Sequence, residues 1–250
     1  MPFRSPINTS PVKGGNILSE TPPFSLASAL HEWYRPNATD VGTTVTAVDT
    51  GSIGGLDMVN PTAAAEPDFN SNTFGFDGVQ QELYNGVSNF RSGDNSGVIH
   101  IKFKATDNTG SKNNHLFSIS NTSAADFLEV RYKDLKLELV WGDGGIFHGI
   151  RQDVVLTLND INTATFISTG SVWVIGVNGV AVATTPFAGS NNGNWLADIT
   201  ASTENIVMGA RETTINSFGK SDIYGVWYEP YTTQAAALAN GLDIQNNAVW

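Results

Sequence analysis

The sequence predicts an all-β fold: a two-sheet antiparallel jelly-roll sandwich with an extended N-terminal arm and a short C-terminal helix. Three observations predict it. From about residue 43 the 250-residue chain breaks into short alternating runs separated by Gly, Asn, Asp and Ser clusters. The stretch VWVIGVNGVAVAT (172–184) places Asn178-Gly179 between two strand-forming runs, the strongest short-range hairpin signal. One segment, TTQAAALANGL (232–242), reads as a helix.

Residues 1–30 hold half of the ten prolines and little periodicity, so they read as an extended Pro/Ser-rich arm. Such an arm becomes ordered when its own domain or a partner holds it. Phe3 and Ile7 are its apolar docking candidates, with Trp33 just after it. The sandwich is expected over 31–242, followed by a tail over 243–250 whose last residue, Trp250, is a further docking candidate.

GVIHIKFKA (97–105) alternates, with Ile99, Ile101 and Phe103 on one face and His100, Lys102 and Lys104 on the other, where a solvated imidazole is expected. FLEVRYKDLKLELVW (127–141) is a second hairpin, its turn placed at Lys133-Asp134. VVLTL (154–158), TATFIS (163–168) and NIVMG (205–209) supply further strands. The Asn-Gly turn sets Val177 opposite Val180, Ile175 opposite Val182 and Trp173 opposite Thr184. Gly176, Ala181 and Ala183 make the other face small enough for the sheet to bend or another layer to approach. SDIYGVWYEP (221–230) ends at Pro230, and the helix follows, with a threonine cap and Gly241 as its stop. Trp141, Trp173 and Trp227 share strand faces with aliphatic residues and are assigned to the core.

Asp plus Glu number 24 against 13 Lys plus Arg, a formal net charge of −11, which repels phosphate backbones and argues against nucleic-acid binding. The absence of cysteine excludes disulfides, thiolate catalysis and cysteine-bound zinc. No run approaches 18 apolar residues, and the first residues lack the apolar core of a signal peptide, so neither membrane insertion nor export by the usual route is expected.

The order of the segments resembles concanavalin A-like and laminin-G-like domains. FGFDGVQQEL (74–83) is similar to their opening strand and HLFSIS (115–120) to the strand that follows. FLEVRYKDLKLELVW is similar to their central hairpin and VWVIGVNGVAVAT to their "x-Val-Asn-Gly-x" hairpin. NIVMGAR (205–211) and IYGVWYEPYTTQAAALANG (223–241) resemble the closing strands and terminal helix. The resemblance covers roughly residues 31–242 and implies a curved jelly roll. It implies no single function, because the fold hosts lectins, glycanases, lyases, adhesion modules and viral coat parts.

Chemistry finds little support. The Glu-x-Asp-x-x-Glu strand of laminarinase-type members is missing. Glu129 and Glu138, set opposite by a Lys133-Asp134 turn, would stand about 5 Å apart, as in a retaining glycosidase. Arg131 and Lys136 would neutralise them on a solvated, charge-alternating face. No Gly-x-Ser-x-Gly stretch, paired histidines or phosphate loop occurs, so no enzyme activity is expected. Asp143 and His148 in WGDGGIFHG could share a metal, with little else to complete a site. TDNTGSKNN (106–114) offers oxygens suited to calcium but lacks the acidic spacing of a calcium loop, so no cofactor is expected.

Sugar binding fits better. GSNNGNWLAD (189–198) combines Asn191, Asn192, Asn194 and Asp198 with Trp195, whose ring could stack on a pyranose while the amides bond hydroxyls. The alternative is that Trp195 plugs the core and the asparagines make turns.

A surface-binding module without an export signal points to a bacteriophage virion protein, made in the host cytoplasm and released by lysis. It would be a capsid decoration, head-fibre or tail-associated subunit whose arm docks on major capsid or fibre proteins. The expected partners are those proteins, further copies of the chain and surface glycans. The alternative is a carbohydrate-binding module or lectin, and after it a glycanase or lyase.

Overall fold

The computed structural model describes residues 32–36, 45–49, 56–70, 73–109, 112–121, 125–201, 203–211 and 217–246. The arm with Phe3 and Ile7, and the terminal Trp250, lie outside the described residues.

Period-two alternation gives each strand one apolar face, and the strands bury those faces by stacking in two antiparallel layers. The first layer runs, in spatial order, Asp68–Asn70, Thr73–Asp77, Lys220–Glu229, Gly97–Ala105, Ile161–Ser168, Trp173–Val177, Val180–Val182. The second runs Met58–Val59, Leu83–Asn85, Asn205–Met208, Asn114–Ser120, Phe127–Lys133, Lys136–Asp143, Ile146–Gln152, Thr184–Ala188. Two short strands link the layers along one edge. Thr46–Asp49 pairs with Met58–Val59 and with Glu32–Pro36, which in turn pairs with Lys220–Glu229, Trp33 opposite Trp227. At the other edge the chain itself crosses between layers at Ala183.

The inner faces share one core that includes Ile99, Ile101, Phe103, Val130, Leu139, Trp141, Phe166, Trp173 and Ile175. The Asn178-Gly179 turn forms as its chemistry requires, with φ of 50° and 81°. Its register pairs Val177 with Val180 and Ile175 with Val182. Thr184 has left the hairpin and pairs with Gln152 in the other layer. VVLTL forms no strand: Val154 and Val155 are exposed, while Leu156 turns inward and its N–H donates to the Leu135 carbonyl at 2.7 Å.

The helix spans Gln234–Asn246, capped by Thr233, whose Oγ1 accepts the Ala236 N–H at 3.1 Å. It lies across the outer face of the first layer, packing Ala237 and Leu238 against Val98, Ile167 and Val174. Glycine permits the approach. A Cβ on Gly176 would meet Leu238 Cδ2 at 2.5 Å and one on Gly179 would meet Leu242 Cβ at 2.5 Å. Gly241 is therefore not a stop; the helix continues through it, and a Cβ there would collide with Thr165 Oγ1.

This third layer changes the reading of the polar strand face. His100 is buried beneath the helix, within 3.0 Å of Thr165 Oγ1 and 3.2 Å of Glu229 Oε1. Lys102 donates to the Ile244 and Gln245 carbonyls at the helix end, at 3.1 and 3.2 Å, and burial holds its ammonium below the usual lysine range. Trp227 is buried on this outer face, in register with His100, and not in the core between the layers.

Candidate functional site

The loop expected to bind sugar is a structural plug. Trp195 is fully buried, and its Nε1 donates to Tyr228 Oη at 3.0 Å, so the ring cannot stack on a sugar. Tyr228 Oη donates in turn to Asp94 at 2.6 Å, and Arg91 holds that carboxylate at 2.9 Å. The polar side chains of the loop hold its own fold. Asn191 accepts from the Trp173 N–H at 2.6 Å and donates to its carbonyl at 3.0 Å. Asn192 accepts from Asn194 N–H at 3.1 Å, the Asn194 carbonyl accepts from Trp173 Nε1 at 2.8 Å, and Asp198 accepts from Trp195 N–H at 2.8 Å.

Other sequence candidates are likewise occupied. Asp143 accepts from Thr200 N–H and Oγ1 at 2.9 and 2.8 Å, whereas His148 Nδ1 accepts from Ser190 N–H at 3.0 Å. Asp107 accepts from Thr109 N–H and Oγ1 at 3.1 and 2.9 Å. Among the described residues no group of three or more His, Asp or Glu could hold a metal. A cavity of about 250 Å³ lies between Pro61, Ala64, Gln80 and Phe218.

The chemistry gathers instead on the outer face of the second layer. The central hairpin turns at Asp134-Leu135, with φ of 53° and 58°, one residue later than its sequence suggests. Lys133 therefore pairs with Lys136, Glu138 with Arg131, and Glu129 with Val140. The two carboxylates keep the same face but lie diagonally, with Arg131 beside both. Its Nε donates to Glu138 at 2.6 Å and its Nη1 to Glu129.

Neighbouring strands complete the network. Glu138 is opposite Arg151, whose Nε donates to it at 2.5 Å and whose Nη2 also contacts it. His115, opposite Arg131 on the other side, brings Nδ1 to 3.4 Å from Glu129, and Arg211 brings Nε to 3.5 Å. Glu129 and Glu138 are 1% and 0% exposed, so this is a buried ion network and not the solvated face expected.

Aromatic rings frame it. Phe187 lies 5.1 Å from the Arg151 guanidinium and 6.0 Å from that of Arg131, and Phe127 lies 4.2 Å from Arg211. Phe147 packs against Phe127 with ring centroids 5.7 Å apart and planes tilted by 33°. Gly142 and Gly149 make room for these rings, since a Cβ would meet Phe127 Cε1 and Phe187 Cζ at 2.7 Å each. Phe147 and Phe187 remain 46% and 40% exposed, so the face presents aromatic surface beside guanidinium groups. His115, Arg151, Arg211, Phe147 and Phe187 were not singled out by the sequence. The one available signal was the alternation that put Glu129, Arg131 and Glu138 on one face.

The network fixes its own protonation. Burial alone would raise the Glu129 pKa, but the electrostatic pull of the nearby His115, Arg131 and Arg211 outweighs it and holds the carboxyl at about 2, below the 4.5 of the free group. A carboxyl whose pKa is depressed on folding stabilises fully above its unfolded value and loses that stabilisation as pH falls through the folded one. Stability is thus expected to fall between pH 4.5 and pH 2. Urea unfolding across that window, compared with Glu129→Gln, checks it: the variant should show the shallower pH dependence.

No protein-family model and no curated protein matches the chain. Solved structures do. The chain is similar to the Trypanosoma rangeli sialidase in complex with 2,3-difluorosialic acid, at 10% identity and a TM-score of 0.61, covering 86% of this chain and 33% of that one. A mutant of that sialidase displaying trans-sialidase activity matches at 11% identity and a TM-score of 0.59, over 86% and 33%. The CBM40 of the Ruminococcus gnavus IT-sialidase bound to α2,3-sialyllactose is 18% identical over 58% of this chain and 82% of that one, with a TM-score of 0.48. The chain spans about a third of the Trypanosoma enzymes. The likeness to the Trypanosoma enzymes shows the fold, a two-sheet antiparallel sandwich.

Proposed function

We propose that the chain is a non-catalytic carbohydrate-binding module whose ligand lies on the outer face of the second layer. One observation carries the reading: the exposed rings of Phe147 and Phe187 flank guanidinium groups fixed by buried carboxylates. Sugar sites combine an aromatic surface for the apolar faces of a pyranose with rigidly placed donors for its oxygens, and this face supplies both. The absence of catalysis is supported by the network itself. Arg131 stands between Glu129 and Glu138, and Glu129 stays ionised near neutrality, so it is a poor general acid.

The face would serve a virion attachment subunit as well as a free lectin; of the residues expected to dock on a virion, Phe3, Ile7 and Trp250 lie outside those described, and Trp33 lies in the strand Glu32–Pro36. A printed array of neutral, carboxylate-bearing and sulfated glycans tests the proposal. Saccharide binding is expected, weakened at least tenfold by Phe187→Ala and left unchanged by Asn192→Ala in the plug loop. An array without hits, or hits indifferent to Phe187→Ala, overturns it.

A further inference from the structure

Resting on that carbohydrate reading, we infer that the saccharide is anionic and that its acidic group sits on the outward edges of Arg131 and Arg151. The distribution of charge points there. The whole chain carries 24 acidic against 13 basic residues, yet the outer face of the second layer reverses the balance. Among the described residues that face carries Arg131, Lys133, Lys136 and Arg151, with Arg211 at its side, against the carboxylates of Glu129 and Glu138. Asp134, exposed in the turn, and Asp153, held by Thr185 at 2.8 Å, lie at its margin.

Glu138 accepts from both arginines and Glu129 from Arg131, with the second Glu129 oxygen 3.4 Å from His115 and 3.5 Å from Arg211, whereas each of the Arg131 and Arg151 guanidinium groups keeps one nitrogen unbonded. Arg131 uses Nε and Nη1, and Arg151 uses Nε and Nη2. Nη2 of Arg131 and Nη1 of Arg151 bond to nothing among the described residues, and neither atom is buried. The fixed ends hold the guanidinium planes, Phe187 packs beside both, and the open edges keep donors for an incoming anion. A neutral sugar would leave those donors and the excess positive charge unmatched. Because Glu129 remains ionised down to about pH 2, it will not protonate at moderately acid pH and change this balance.

The test measures affinities of the full chain for three saccharides sharing one backbone: neutral, carboxylate-bearing and sulfated. At least one acidic form is expected to bind ten times or more tightly than the neutral one, and the acidic form that binds identifies the group. In folded Arg151→Gln the ratio of acidic to neutral affinity should shrink towards one. Raising salt should erode the margin in the parent chain. Equal binding of all three overturns the inference and leaves the carbohydrate reading standing. An acidic preference that survives Arg151→Gln overturns the assigned position. Failure of every saccharide on the array overturns the carbohydrate reading itself.

Discussion

Trp195→Ala is expected to cost about 3–5 kcal/mol of stability, the range for truncating a large buried aromatic side chain, and to leave sugar affinity of the folded protein unchanged. The ring is 0% exposed and belongs to the core between the layers. Its removal leaves a cavity and strips Tyr228 Oη of the Nε1–H donor at 3.0 Å. Gly97 shows how tightly the ring fits, since even a Cβ there would overlap the Trp195 indole nitrogen. For a chain of this size the thermal midpoint should drop by roughly 10 °C. Unfolding scans and titration of a bound saccharide at low temperature separate the two effects. A stable variant that had lost binding would restore the loop as the site.

Arg131→Met should destabilise the sandwich by a similar amount, about 3–5 kcal/mol, because it deprives two buried carboxylates of one partner. Glu138 would keep Arg151, and Glu129 would keep His115 and Arg211, the latter two at 3.4 and 3.5 Å. Urea unfolding at pH 7 gives the number, with an unchanged denaturant slope indicating that the denatured state is unaltered. The double variant Arg131→Met/Glu138→Leu is expected to be more stable than Arg131→Met alone, because an apolar side chain replaces a half-paired buried charge. If Arg131→Met costs less than about 1 kcal/mol, the network is a surface feature after all.

Much of the fold was legible in the sequence, and the site much less so. The Asn178-Gly179 hairpin, the apolar faces of 97–105 and 163–168 and the threonine cap at the helix start all follow from local chemistry. A one-residue difference separates the expected turn of the central hairpin from the observed one. Both turns preserve the face on which Glu129 and Glu138 lie, so alternation could not distinguish them. Leu135, with φ of 58°, is an unusual turn residue. It packs against the core, and its carbonyl accepts the Leu156 N–H, tertiary contacts absent from a local reading of the turn.

The face that carries the proposed site joins residues far apart in sequence. Arg211 reaches Glu129 across 82 positions and Phe187 reaches Arg131 across 56, and no spacing rule links them. The loop at 189–198 misled for the converse reason: asparagines and a tryptophan compose a sugar-binding loop and a core plug alike.

By itself the sequence determined the strand class, the principal hairpin and the sides on which core residues lie. These depend on two-residue alternation and on turn residues that tolerate positive φ, which act over a few positions. Only the tertiary structure decided which polar faces meet water. His100 beneath the helix and Glu129 beneath its arginines have the same alternating pattern as a solvated strand, because alternation records that a side chain leaves the core, not what covers it on the other side.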